Sequence, residues 1–337
     1  MKVGIIGFGK MGMLHAALLN QIDGVEVKSI AEMNFFVRFG AKTLIPNIHY
    51  YKDYKKMILN EHLDAVIVCT PTFLHVDIAK FALNENVHVF IEKPLSNNID
   101  SALELLPLLS EKKQTCMVGY NLRFAPTFQT AKRIIESGQL GDIAAVNACA
   151  YIADVFAAEK GWRYNPTLSG GGVVADFTVH LLDLLCWYLG DVERLTASTK
   201  KLYSLDVEDE ACISLFFKSG CEAKIETSWS KEDCRKSFFL IELAGQHGYL
   251  NITDQTIELN LKGKEPEEIY YPDVYEGYYI DIAGGNYSNQ MLHFVEMCRK
   301  GDKSRDTFSD AIHIQAIVDA IYKSAKDEAI ATVGVKR

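Results

Sequence analysis

Residues 3–6 form a short apolar run, after which apolar side chains recur at Met13, Ala16, Ala17 and Leu19, and a second apolar run covers 25–31. A continuous run followed by a period near 3.6 and another continuous run reads as strand, amphipathic helix, strand. The alternation continues with a helix over 33–42, a short strand near 48–50, a helix from Asp53 to Leu63, and a strand over 64–69 whose unbroken β-branched composition marks burial on both faces. A helix over 73–83, a strand over 87–91, a helix capped by Asn97 or Asn98 and running to Glu111, and a strand over 116–119 complete the series. Strands joined through helices in this order require right-handed crossovers and predict a doubly wound, Rossmann-type parallel sheet.

After Asn121 the pattern changes. Helices are expected over 126–137 and, strongly apolar, over 173–189; a strand is expected over 143–152. Longer alternating segments follow at 195–201, 210–217, 222–229, 237–243, 249–252 and 256–261, then helices at 287–299 and 309–325. Alternation of period two predicts an antiparallel, open sheet with one covered face. The fold class is therefore α/β: a Rossmann domain over 1–120 and an α+β domain over 121–337 with a large, mostly antiparallel sheet. An open sheet needs covering, which points to a homodimer or homotetramer.

Composition narrows the class. With 337 residues, two domains are the prior. A hydrophobic content of 48% and mean hydropathy of +0.00 describe an ordinary globular chain. The net charge of -9 argues against nucleic acid or an anionic membrane as partner. The chain opens directly on its first strand, and no 18-residue run is uninterrupted by polar residues, so export and membrane spanning are not expected and a cytoplasmic protein is. The eight cysteines are scattered without metal-knuckle spacing and read as reduced, with no metal site and no zinc-dependent chemistry.

Candidate chemistry begins at the first turn, Gly7-Phe8-Gly9-Lys10-Met11-Gly12. One glycine permits the sharp turn, one lets backbone approach a pyrophosphate, and one lets the helix pack close to the strand. Three glycines alone are also an ordinary loop; here they lie in a full strand-loop-helix-strand pattern that ends at Glu32, where an acid receives the ribose hydroxyls. Glu32 repels a 2′-phosphate, so NAD is expected rather than NADP. Arg38 would reverse the preference if it folded over the ribose.

Lys93, in Glu92-Lys93-Pro94 at the end of a parallel strand, is placed where this fold binds ligands. A partly desolvated ammonium there can hydrogen-bond a substrate oxygen; the competing reading is a surface Glu-Lys pair. Pro94 admits a cis bond that could aim the lysine inward. Asp176 and His180 fall four positions apart on the apolar helix, so one face would carry both and the carboxylate would orient the imidazole. A lone helical histidine is more often a satisfied core residue, but the acid and the preceding Gly170-Gly171-Gly172 favour catalysis. The run Tyr270, Tyr271, Tyr275, Tyr278 and Tyr279 reads as an interface loop before a sugar- or base-stacking one.

These positions together resemble the glucose-fructose oxidoreductase and inositol dehydrogenase family. The matching features are the Gly7 to Gly12 loop, Thr70-Pro71-Thr72 with His75, Glu92-Lys93-Pro94, Asn121-Leu122-Arg123-Phe124, Trp162-Arg163, and Gly171-Gly172 followed by Asp176 and His180. The resemblance spans nearly the whole chain. It implies that Lys93 touches both nicotinamide and the reacting hydroxyl, that His180 is general acid or base with Asp176 in support, and that Thr70, Pro71, His75, Glu92 and Asn121 line the cofactor. Arg123, Trp162 and Arg163 match positions that meet substrate, and the two arginines suggest a sugar carrying a carboxylate or phosphate, even a nucleotide-linked one. The expected reaction is hydride transfer between a secondary hydroxyl of a sugar, nucleotide sugar or polyol and NAD. A dinucleotide-dependent sensor of the same fold, and a reductase of imines, enones or biliverdin-like compounds, are the alternatives.

Overall fold

Parallel strands whose side chains are apolar on both faces can be buried only as the middle layer of a sandwich of helices, and the first part of the computed structural model is built this way. The structure describes residues 1–271, 284–301 and 306–334. Tyr275, Tyr278 and Tyr279 of the tyrosine run lie outside the described residues. The chain divides into two compact units, Met1–Tyr120 with Tyr287–Ile312, and Asn121–Asn286 with His313–Arg337.

In the first unit, strands β1 (Lys2–Ile6), β2 (Glu26–Ala31), β3 (His49–Tyr51), β4 (Ala65–Val68), β5 (His88–Ile91) and β6 (Cys116–Val118) form one parallel sheet in the order β3-β2-β1-β4-β5-β6. Helices α1 (Lys10–Leu19), α2 (Phe35–Leu44), α3 (Tyr54–Glu61) and α4 (His75–Asn84) make the crossovers. All four residues of β4 are fully buried, as its unbroken apolar run requires. The strand order reverses between β1 and β4, which opens a crevice at their carboxyl ends.

The single helix expected up to Glu111 is two, α5 (Ile99–Leu103) and α6 (Leu106–Glu111). Asn98 caps the first by accepting from the Ser101 N–H at 2.8 Å. Pro107, in the first turn of α6, has no N–H with which to continue the ladder from α5.

The second unit holds α7 (Pro126–Glu136), β7 (Ile143–Tyr151), α8 (Pro166–Ser169), α9 (Val179–Leu189) and strands β8 (Val192–Lys200), β9 (Glu210–Phe217), β10 (Glu222–Ser228), β11 (Phe238–Gly245), β12 (Gly248–Thr253), β13 (Thr256–Leu261) and β14 (Glu267–Tyr270). Helices α10 (Gly285–Lys300) and α11 (Asp306–Asp327) and strand β15 (Ala331–Thr332) close the described chain. The expected second domain, 121–337, is thus interrupted: residues 287–312 cluster with the first unit, where Phe294 packs edge-on to Phe90 at 5.6 Å.

The nine strands pair in the order β14-β13-β12-β11-β7-β10-β9-β8-β15, antiparallel except for β7 beside β10. Strict alternation puts Ala211, Ile213 and Leu215 of β9 opposite Thr227, Ile225 and Ala223 of β10 on one buried face. Helices α7 and α9 pack on this sheet. The run Pro166–Leu189 is long and apolar enough by composition to cross a bilayer, and 72% of its most apolar window is buried in the folded chain, the condition of a core helix.

Helix α9 is anchored by charge as well as by packing. Arg123 reaches Asp183, a fully buried residue of α9, through two parallel hydrogen bonds, Nε to Oδ2 at 2.8 Å and Nη2 to Oδ1 at 2.5 Å. Lys132 donates to the Trp187 carbonyl in the last turn at 2.6 Å, where a cation complements the helix dipole. Breaking a buried pair leaves an uncompensated charge, whereas replacing both partners does not. Asp183→Ala is therefore expected to cost about 3–5 kcal/mol in urea unfolding, and Arg123→Met with Asp183→Leu to recover most of that loss.

Candidate active site

Backbone at the carboxyl ends of the parallel strands is held by a continuous ladder. The N–H groups of Gly7, Glu32, Cys69, Glu92 and Gly119 donate to Ala31, Tyr51, Ile6, Val68 and Ile91 carbonyls at 2.8–3.0 Å. Every residue that leaves the sheet at this edge thereby starts from a fixed position.

The glycine turn separates into three roles. Gly7 has φ +86, and a Cβ there would lie 2.7 Å from the Cys69 carbonyl oxygen. A Cβ on Gly12 would lie 2.1 Å from the Gly7 carbonyl oxygen, so only a glycine lets α1 start this close to β1. A Cβ on Gly9 would meet nothing within 4 Å. Gly9 is the N-cap of α1, and no side chain caps the helix and no acid occupies its first turn. Lys10 and Met11 open that turn. The site thus offers unshielded N–H groups and the positive end of a helix dipole beside open space, which suits a pyrophosphate.

Glu32 supports the same turn. Its Oε2 accepts from the Phe8 N–H at 2.8 Å and its Oε1 from the Asn34 N–H at 2.7 Å, leaving lone pairs on both oxygens for ribose hydroxyls. Arg38 folds back, donating to the Glu32 carbonyl at 2.5 Å with its guanidinium over the Phe35 ring. Its charge lies on the backbone carbonyl beside Glu32, while the Glu32 carboxylate is held by amides.

Two buried histidines bracket the Glu92-Lys93-Pro94 turn within this unit. His15 of α1, fully buried, meets Glu92 Oε1 at 2.6 Å. His75 places Nδ1 2.9 Å from the Pro94 carbonyl and Nε2 2.8 Å from the Thr70 carbonyl. Burial pushes the His75 imidazole below its ordinary value, ahead of the two carbonyls and Glu92, which favour the charged ring. The Lys93–Pro94 bond is cis, and Lys93 is half-buried. Thr70 Oγ1 is a buried hydroxyl with no partner among the described residues, and Pro71 precedes the turn into α4. Asn121 begins the second unit, in a 3₁₀ turn with Arg123.

In the second unit, Asp176 does not lie on an α-helix with His180. Residues Val174–Thr178 form a π-helical turn, and α9 begins after it. The α-helical i, i+4 geometry assumed from spacing is replaced by an expanded turn of the kind common at functional sites. Asp176 Oδ2 accepts from Arg163 Nε at 2.8 Å, and Arg163 Nη2 reaches Asp154 at 2.5 Å. The Arg163 guanidinium stacks over Trp229 at 4.9 Å, and the flanking carboxylates hold its pKa above the ordinary value against the effect of burial. His180 is half-buried, 6.4 Å from the Phe239 ring in an edge-on arrangement, and Trp162 is 40% exposed.

Both arginines have acidic partners within this unit. Arg123 is committed to Asp183, and Arg163 to Asp154 and Asp176, so the charges assigned to a substrate carboxylate or phosphate are compensated inside the unit. Sequence reasoning named Asp176 but not its pairing with Arg163, and it missed Asp154, Asp183, His15 and Glu208. Pairing across many residues leaves no local pattern; the adjacent acids Glu208-Asp209 were the only trace.

Comparison with known proteins agrees with this architecture. Residues 1–120 match the family model described as an oxidoreductase family with an NAD-binding Rossmann fold, and residues 128–251 match the GFO/IDH/MocA C-terminal domain. Similar proteins include a myo-inositol 2-dehydrogenase of Thermotoga maritima, 24% identical with 90% of this chain and 89% of the relative covered, and a levoglucosan dehydrogenase of Pseudarthrobacter phenanthrenivorans, 23% identical with 97% of each covered. Among solved structures, levoglucosan dehydrogenase in complex with NADH and L-sorbose superposes with a TM-score of 0.89 at 22% identity, over 100% of this chain and 99% of that one. With both of its parts matched in order, the chain belongs to the GFO/IDH/MocA family of oxidoreductases with an NAD-binding Rossmann fold.

Proposed function

We propose that the protein is an NAD-dependent dehydrogenase of an uncharged sugar or polyol, acting on a secondary hydroxyl. The observation that carries this reading is the placement of Lys93: it leaves the parallel sheet at the same edge as the uncapped start of α1, braced on either side by His15–Glu92 and His75–Pro94. The relatives named for myo-inositol and levoglucosan act, by those names, on uncharged polyhydroxylated compounds. The internal pairing of Arg123 and Arg163 supports an uncharged substrate in preference to a phosphorylated, carboxylated or nucleotide-linked one.

NAD, when bound, supplies a two-electron acceptor for the hydride released by the carbinol carbon. The amides of the Gly7 to Gly12 turn, through Lys10 and Met11, hold its pyrophosphate, and Glu32 its adenosine ribose; Thr70, Pro71, His75 and Glu92 line the same edge. Lys93 donates a hydrogen bond to the substrate oxygen and stabilises the charge that develops on it. The His180 imidazole takes the hydroxyl proton, so that alcohol becomes carbonyl, one hydride and one proton having left. Asp176, fixed by Arg163, lies on the turn that leads into His180.

Lys93→Met and His180→Ala are each expected to keep NAD binding and to lose hydride transfer by about 100-fold or more, followed as reduced-nicotinamide absorbance with myo-inositol, levoglucosan, D-apiose and L-sorbose. Near wild-type turnover in both variants would remove these roles, and binding of NAD without turnover of any polyol would favour a sensor. The glycines give a second contrast. Gly9→Ala should leave the melting temperature unchanged and abolish NAD-induced stabilisation, since its methyl occupies the open space over the helix start. Gly12→Ala should lower stability without ligand by about 1–3 kcal/mol, because its methyl meets backbone.

A further inference from the structure

The helical run that carries Asp176 and His180 begins at Val173, which supplies no side-chain cap. Helices normally satisfy their first N–H groups with a local Ser, Thr, Asp or Asn. Here the acceptors come from Glu208, far along the chain between β8 and β9. Glu208 is 6% exposed. Its Oε1 accepts from the Gly172 N–H at 3.1 Å, the Val174 N–H at 3.0 Å and the Tyr322 hydroxyl at 2.8 Å, while Oε2 lies 3.0 Å from the Gly172 nitrogen. The Glu208 carbonyl accepts from the Val173 N–H at 3.0 Å. One residue therefore receives three successive amides.

The fit leaves no freedom. A Cβ on Gly172 would stand 2.1 Å from the Glu208 carbonyl oxygen, and one on Gly171 would stand 1.8 Å from the Tyr322 hydroxyl. The two glycines are needed because the Glu208 backbone and the Tyr322 phenol close over the chain here. Below them, Thr178 Oγ1 donates to the Val173 carbonyl and pairs with the Thr227 hydroxyl, both at 3.0 Å, which pins the other end of the π turn. Burying an acid costs stability, and burial raises the Glu208 carboxyl above its ordinary value despite its donors.

We propose that Glu208 and Tyr322 are positioning residues for catalysis: by clamping the amides of Gly172, Val173 and Val174 they fix the π turn and thereby the direction in which Asp176 and His180 are presented. This rests on the catalytic role given to His180 above. The clamp acts through the backbone of the turn. Displacement of a reacting group by about 1 Å costs on the order of 100-fold in rate, so a shift too small to unfold the unit suffices to silence it.

The test uses the full chain with histidine ring-labelled protein and nuclear magnetic resonance, the His180 signal being assigned by its loss in His180→Ala. In Tyr322→Phe and Glu208→Gln the His180 ring resonances and titration midpoint are expected to move, the midpoint by about half a unit or more, while the His15 and His75 signals stay in place. With any polyol the wild type oxidises, kcat should fall about 10- to 100-fold with KM for NAD unchanged. Tyr322→Phe removes a single hydroxyl and so reads the position even where Glu208→Gln fails to fold. A His180 signal superimposable on wild type in folded Tyr322→Phe, whatever the melting temperature, overturns the proposal. Retained turnover in His180→Ala would instead strike the catalytic reading, and the two failures are told apart by which variant produces them.

Discussion

The first N–H groups of a helix have no partner within it and must be met by something else, and much of this molecule follows from how two glycine turns answer that demand. At the start of α1, Gly7 and Gly12 bring helix and strand together while Gly9 leaves the end open, with no cap and no acid in the first turn. At the start of the run leading into α9, Gly171 and Gly172 admit Glu208 and Tyr322, and the amides are filled from inside the protein. The first arrangement invites an anion. The second excludes one and turns the same backbone groups into a mount for the residues that follow.

Charge is distributed on the same principle. With a net charge of -9, the chain nonetheless buries or half-buries two arginines and pairs each with acids: Arg123 with Asp183, and Arg163 with Asp154 and Asp176. Breaking such a pair leaves a buried charge uncompensated. Glu32 is handled differently, since backbone amides hold it and Arg38 turns to the carbonyl beside it. In the proposed site its negative charge would face the ribose, which is the physical basis for proposing NAD over a cofactor with a 2′-phosphate.

Much of this was legible in the sequence wherever the cause is local. Unbroken β-branched runs gave the parallel strands, alternation gave the large sheet, and β9 and β13 fall on the residues that alternation assigned. The glycine turn and Glu32 could be read because their spacing is set by one strand-loop-helix unit. Non-local causes stayed hidden. Nothing in the local pattern tells that 287–312 cluster with the first unit or that an extra residue expands the turn holding Asp176, whereas Pro107, ahead of which the expected helix breaks, is a local signal. The acids that pair with Arg123 and Arg163 could not be read because a sequence shows a charge but not its partner.

The claim on which the functional account turns is that the open start of α1 and the carboxylate of Glu32 form one dinucleotide site selective for NAD. Titration of the wild-type protein with NADH and, separately, NADPH, followed by nicotinamide fluorescence, tests it directly. Saturable binding of NADH at least about tenfold tighter than NADPH, a difference of about 1.4 kcal/mol, is the predicted result. No saturable binding of either, or a preference for NADPH, would contradict it.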